Sequence, residues 1–287
     1  MPQLNSDNAS IYHGNTMQPM TTIALRAARA AGQIISRASQ SLDVLDVQTK
    51  GLNDFVTEID LAAERAIIES LQKVYPDHGF LCEESGLIKG SGEGEDYLWI
   101  IDPLDGTTNF IHGVPHYAVS IALQYKGKIE HAVILDPSRN DEFVASRGYG
   151  AQLNGKRLRI AQQKTLNGAL LCTGFPFRED QKVSMDAYLA MFKQLSTETA
   201  GIRRAGSAAL DLAYVAAGRY DGYWEFGLHT WDIAAGALLI TESGGLISDF
   251  SGQHKYLNNG NVVCGNPKIF KQILQAINPH LTAELKR

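Results

Sequence analysis

Cysteine is scarce in this 287-residue chain, with only Cys82, Cys172 and Cys264. The three are far apart, odd in number and form no CxxC pair. This excludes a disulfide framework and a clustered-cysteine zinc site, and it predicts free thiols in a reducing cytoplasm. Long apolar runs are also missing. None approaches the roughly 18–20 residues of a membrane-spanning helix. Excess basic charge is lacking too: the net charge is −5, a poor match for a nucleic-acid binder. The eight histidines form no HExxH, and no GxxxxGK[ST] marks a nucleotide-triphosphate loop. Met1 to Thr16 is polar and has neither the basic nor the apolar region of a signal peptide. It reads as a disordered extension, with Met17 as a second candidate start.

What is present is an ordinary soluble composition, 44% hydrophobic and 20% charged. Apolar spacing predicts helices over Thr21 to Ser36, Val56 to Tyr75, Ser184 to Leu195, Ser207 to Ala217, Trp231 to Ser243 and Pro267 to Ile277. Lys50 to Asp54 reads as a polar loop, and Gly90 to Glu95 as a solvated acidic one. Strands are expected at Asp43 to Gln48, Gly79 to Cys82, Leu98 to Ile101, Tyr117 to Tyr125 and Ile129 to Leu135. A meander follows over Glu142 to Ser146 and Gly148 to Leu153, closed by the hairpin signal Asn154-Gly155. Ala169 to Cys172, Gly222 to Phe226, Leu246 to Ser248 and Val262 to Cys264 are further strands. Two αβ halves are expected, 17–160 and 161–287, after the extension 1–16. The aromatic residues of Gly174 to Phe177 are expected in the core.

The chemistry concentrates in Trp99-Ile-Ile-Asp-Pro-Leu-Asp-Gly-Thr-Thr-Asn-Phe110. Asp102 sits where a short buried strand should end, with Pro103 favouring an extended residue before it. Asp105 follows three residues on, and Gly106 permits a tight turn. Asp-Gly and Asp-Pro are also common in plain turns. Two carboxylates this close repel unless a cation lies between them. All-oxygen ligands favour magnesium, manganese or calcium over zinc. Nearby N–H groups suit a phosphate. Three more acids attach to strand ends or helix starts: Glu83 after a short strand, Asp60 in a helix, and Asp232 in the first turn of a helix capped by Thr230. His112, His116 and His229 read as loop or supporting residues.

Asp102-Pro-Leu-Asp-Gly-Thr-Thr-Asn109, Trp231-Asp-Ile-Ala-Ala-Gly236 and Glu83-Glu-Ser85, taken together, resemble the inositol monophosphatase family. Gly174-Phe-Pro-Phe177 and Arg203-Arg-Ala-Gly-Ser-Ala-Ala-Leu-Asp-Leu-Ala-Tyr214 are similar to its bacterial SuhB-type branch. The resemblance implies an α+β fold, an αβαβα layered sandwich of the sugar-phosphatase type. It implies a magnesium-dependent phosphomonoesterase that hydrolyses myo-inositol 1-phosphate to inositol and phosphate. By matching positions, Glu83, Asp102 and the Leu104 carbonyl hold a first metal, and Asp102, Asp105 and Asp232 a second. A third, weaker metal lies near Glu83. Two or three magnesium ions are thus implied, with manganese as a substitute and calcium and lithium inhibitory. Glu83, Thr107 and Asp60 are the implied catalytic residues, Thr107 and Asp60 positioning the attacking water. Asp105, Gly106, Thr107, Asp232, Lys50, Glu225 and Gly206-Ser207-Ala208 are the implied substrate contacts. A homodimer and a phosphorylated polyol substrate follow from the same resemblance. Alternatives are a sister phosphatase for another sugar, polyol, histidinol or nucleotide phosphate, or a role with RNA and the transcription elongation machinery. Thr108-Asn109-Phe110 argues against the bisphosphate-nucleotide type, which carries Lys-Glu-Phe there.

Overall fold

The computed structural model describes residues 17–42, 47–51, 54–176 and 178–286. The expected extension 1–16 and the expected strand start 43–46 lie outside them. A hairpin of β1 (Val47–Gly51) and β2 (Asp54–Thr57) stands apart. Among the described residues eight strands form one sheet: β3 (Gly79–Cys82), β4 (Gly86–Ile88), β5 (Tyr97–Asp105), β6 (Ala118–Tyr125), β7 (Lys128–Asp136), β8 (Asp141–Ser146), β9 (Gly150–Leu153) and β10 (Lys156–Arg157). Their order is 10-9-8-7-6-5-3-4, antiparallel except for β3 beside β5. A five-stranded sheet holds β11 (Leu170–Thr173), β12 (Gly201–Arg203), β13 (Gly222–Glu225), β14 (Leu246–Ser248) and β15 (Val262–Gly265), in the order 12-11-13-15-14. The helices are α1 (Pro19–Ala38), α2 (Glu58–Gln72), α3 (Thr107–Ile111), α4 (Met185–Glu198), α5 (Ala208–Ala216), α6 (Thr230–Glu242), α7 (Tyr256–Asn259) and α8 (Pro267–Ile277).

The layers follow from side-chain alternation along strands. On β5, Trp99 and Ile101 face α1 and α2, while Ile100 faces α5 and α6. The same α5–α6 pair covers one face of the small sheet through Cys172, Tyr223 and Cys264. Its other face, through Leu171, Trp224 and Val263, packs on α4 and α8. The result is helix, sheet, helix, sheet, helix, which is the αβαβα sandwich expected. Every residue of α5 is buried, because it lies between two sheets. Among the described residues no helix is long and apolar enough to cross a membrane.

Several expectations are corrected. β5 does not stop at Ile101 but runs through Pro103 to Asp105. Pro103 is tolerated because the β5–β6 register slips between Asp102 and Asp105, so that no ladder bond is demanded of it. Lys50 and Asp54, expected in a loop, fall in β1 and β2, and the side chains of both lie outside the described residues. Val56 and Thr57 belong to β2, and Thr57 caps α2 from outside the helix. The acidic loop contains a 3₁₀ turn at Gly92–Gly94. α6 starts at Thr230, with His229 as its cap residue. Phe175 is not in the core: it is 40% exposed, while Phe177 lies outside the described residues. Asn154 and Gly155 form the expected tight hairpin, both with positive φ (49° and 77°).

Candidate active site

The sequence-expected residues converge on one cavity of about 420 Å³. Glu83, Asp102, Leu104, Asp105 and Asp232 line it with Gly106 and Thr107, and so do Gly206, Ser207, Ala208 and Glu225. Asp60 does not reach the cavity wall. It is 1% exposed and stands behind Thr107.

Each acid is placed by its local structure. Glu83 follows β3, and its N–H donates to the Ile101 carbonyl of β5 (3.1 Å). The next turn is anchored by Glu64 of α2, which accepts from the N–H groups of Glu84 (2.9 Å) and Ser85 (3.0 Å) and from the Ser85 hydroxyl. Asp102 folds back on its own bulge, accepting from the Leu104 N–H (3.0 Å). Asp105 accepts from the Ser207 hydroxyl and the Ala209 N–H, both at 2.6 Å. Ser207 in turn caps α5 by accepting from the Leu210 N–H. Its single hydrogen is spent on Asp105, so Ser207 orients an acid of the large-sheet side. Asp232 closes a capping box, accepting from the His229 N–H (2.7 Å). The start of α6 is held to the large sheet where Ser120, the register partner of Asp102, donates to the Trp231 carbonyl (3.2 Å).

Asp60 gathers a small relay. Its Oδ2 accepts from the Thr57 N–H (2.8 Å) and hydroxyl (2.5 Å). Its Oδ1 faces the Thr107 hydroxyl (3.2 Å), which also lies 3.1 Å from the Leu104 carbonyl. The turn between Asp105 and Thr107 requires glycine. Gly106 has φ +96°, and a Cβ there would press on the His116 and Gly206 carbonyls at 3.1 and 3.2 Å. Asn109 ties the segments around the cavity together, its amide donating to the carbonyls of His116 (2.8 Å) and Ala205 (2.9 Å).

The electrostatics are those of crowded, desolvated acids. Burial pushes the Asp102 carboxyl well up, and the charges of Glu83, Asp105 and Asp232 push it further. Burial likewise raises Asp232, reinforced by Asp105 and Glu83. Asp105 is pushed up to about 6 by burial, with the Ser207 hydroxyl and the Ala208 and Ala209 N–H groups pulling it back. Burial raises Asp60 against its three hydroxyl and N–H donors. Glu225 is pushed up to about 7 by burial, opposed by the Tyr223 hydroxyl, which donates to it at 2.5 Å.

Among the described residues no three His, Cys, Asp or Glu side chains are drawn into a ready-made cage. The donor set nonetheless fits a hard divalent cation. Four carboxyls and the Leu104 carbonyl line one cavity, and neighbouring acids oppose the ionised forms of Asp102 and Asp232, which positive charge would relieve. No nitrogen or sulfur ligand is among them. The cavity also includes residues that sequence reasoning did not single out: Phe175, Arg178, Gln181, Arg204 and Asp211. Arg204 and Asp211 were visible inside the Arg203 to Tyr214 motif, but nothing in their spacing said which way they face.

The model of the inositol monophosphatase family matches residues 16–282. A Pseudomonas aeruginosa protein named Nus factor SuhB is 63% identical over 271 residues, 94% of this chain and all of that relative. The Escherichia coli K12 protein of the same name is 51% identical over the same span. Among solved structures, the extragenic suppressor protein suhB of Bartonella henselae superposes with a TM-score of 0.88 at 40% identity, covering 92% of this chain and 100% of that one. The Thermotoga maritima IMPase superposes at 0.82 with 32% identity, covering 92% and 98%.

Proposed function

The chain belongs to the inositol monophosphatase family, and from that premise we propose a magnesium-dependent phosphomonoesterase that hydrolyses myo-inositol 1-phosphate to inositol and phosphate. One observation carries the reading: Glu83, Asp102, Asp105 and Asp232, from three separated segments, share a cavity with Thr107 and Glu225. Glu83, Asp102 and the Leu104 carbonyl hold one ion in this reading, Asp102, Asp105 and Asp232 a second, and a third binds weakly near Glu83. Bound magnesium supplies positive charge that offsets the phosphate's and makes hydroxide accessible near neutral pH.

The chain's own groups do the rest. Gly106 and Thr107 offer N–H groups to phosphate oxygens. The Thr107 hydroxyl donates to Asp60 and accepts from the attacking water, which fixes the water's direction. In this reading Glu83 is the catalytic acid within the cavity, and Asp60 is the base reached through the Thr107 hydroxyl. Glu225, Gly206, Ala208 and Lys50 complete the substrate contacts, with Ser207 holding Asp105. Positioning and charge compensation suffice, because phosphoryl transfer asks little covalent chemistry of a protein. Manganese as a substitute ion, calcium and lithium as inhibitors, and a homodimer belong to the same reading. The test is phosphate release with and without magnesium from myo-inositol 1-phosphate, 3′-phosphoadenosine 5′-phosphate, fructose 1,6-bisphosphate and histidinol phosphate. The inositol ester is expected to be preferred, and Asp102→Asn to lose turnover while keeping the fold. Preference for another ester moves the specificity to a sister phosphatase. A near-normal Asp102→Asn rate overturns the metal assignment.

A second reading is favoured by the name Nus factor that the relatives at 63% and 51% identity bear. We propose that the chain also associates with the transcription machinery. Its test is capture of RNA polymerase by the tagged full chain and by Asp102→Asn. Equal capture by both is expected, and no capture by either refutes it.

A further inference from the structure

Three buried side-chain atoms among the described residues have no hydrogen-bond partner: His116 Nε2, Trp224 Nε1 and Asp211 Oδ1. Of the three residues, only Asp211 lines the cavity. It is 1% exposed, on the wholly buried helix α5, where its neighbours are alanines, leucines, a tyrosine and a valine. A carboxyl left unbonded in such a place costs free energy that an apolar residue of similar size would not. Its surroundings are also specific. Glu225 and Asp105 lie close enough for their charges to oppose its ionisation, and Arg204 close enough to favour it. All four residues line the cavity. Asp211 and Glu225 are thus two acids of the cavity outside the cluster Glu83, Asp102, Asp105 and Asp232.

Two carboxyls lining one cavity, one with a buried unused oxygen, accept hydrogen bonds. The ligand chemistry that matches is a row of donors, such as the neighbouring hydroxyls of a polyol. We propose that Asp211 is a specificity-determining residue: with Glu225 it receives hydroxyls of the substrate's alcohol half, and it selects phosphate esters of polyols over esters with no further hydroxyl. The proposal rests on the phosphatase reading above. Glu225 alone offers oxygens partly committed to Tyr223, whereas Asp211 brings an oxygen with no competing protein partner.

The test compares kcat/KM for myo-inositol 1-phosphate and cyclohexyl phosphate, with magnesium, in the wild type, Asp211→Asn and Asp211→Ala. The two esters share ring size and differ in hydroxyls. The wild type is expected to prefer the inositol ester. Each variant is expected to lower that preference by up to about tenfold, the size of one ordinary hydrogen bond. The loss should appear chiefly in KM. A merely structural role would lower both esters in parallel and leave the ratio unchanged, which overturns the proposal. A wild type that treats both esters alike overturns it even if neither variant folds. Hydrolysis of neither ester, by folded and magnesium-saturated protein, sinks the phosphatase reading and this inference with it. Hydrolysis with an unaltered ratio sinks the inference alone.

Discussion

A single methyl group added at position 174 is expected to weaken recognition without touching Glu83, Asp102, Asp105 or Asp232. Gly174 follows β11, and its φ is not in the left-handed region. Alanine therefore costs the backbone little. The obstacle is Glu225: a Cβ built on Gly174 would overlap its carboxyl. Carbon and oxygen need more than 3 Å between them, so the carboxyl must swing away by about an ångström or more. The bond from the Tyr223 hydroxyl, 2.5 Å long, then breaks, and both partners stay in a buried setting. A broken hydrogen bond to a charged group is worth about 1.5–3 kcal/mol. Gly174→Ala should thus lower the preference for inositol 1-phosphate over cyclohexyl phosphate about 10- to 100-fold, and lower the urea midpoint measurably. Parallel kinetics on the two esters and unfolding curves separate these effects. An unchanged preference together with unchanged stability would show that Glu225 has room to move, and would refute the reasoning.

Two further outcomes follow from buried titratable groups. All three thiols are buried. Burial pushes Cys82 up to about 12 and raises Cys172 and Cys264 as well. The native protein should therefore react with a thiol reagent at pH 8 far more slowly than the urea-unfolded chain, and a fast native phase would contradict this. Glu225 holds its proton more tightly folded, near 7, than unfolded, near 4.5. The folded state binds extra proton between those values, so its stability should fall as pH rises through that window. Glu225→Gln removes the effect. The stability of wild type relative to this variant, measured without metal, should drop by on the order of 3 kcal/mol from pH 4.5 to 7 and then level off. A difference flat across pH would contradict it.

The sequence carried the fold where periodicity was strong. α1 and α8, with one apolar face each, and the β6–β9 meander stand within a few residues of their expected places. It misled where tertiary context decided. Pro103 sits inside a central strand only because a bulge excuses its missing N–H. Val56 and Thr57 look helical by spacing, yet pair with β1. Phe175 is apolar but faces the cavity mouth, where Arg204 lies over its ring at 5.8 Å. For the site, the motif acids were legible as acids at strand ends and helix starts. Their convergence was not, because Glu83 at the exit of β3 and Asp232 at the start of α6 meet only through the packing of α6 on the large sheet. The burial of Glu64 and Asp211 was not legible for a plainer reason. Burial of an acid depends on what packs over it, and a helical pattern does not report that.

The provenance of the cavity's lining has an evolutionary corollary. Of the clustered acids, Glu83, Asp102 and Asp105 belong to the large sheet and its exits, whereas Asp232, like Glu225, Asp211, Phe175 and Arg178, comes from the small sheet and its connections. Asn109 fixes the spacing between the two. The two parts are not independent modules: the segment after β13 carries both Glu225 and, at the start of α6, Asp232, so selection acting on the small-sheet part can alter the alcohol contacts only while α6 keeps its acid in place.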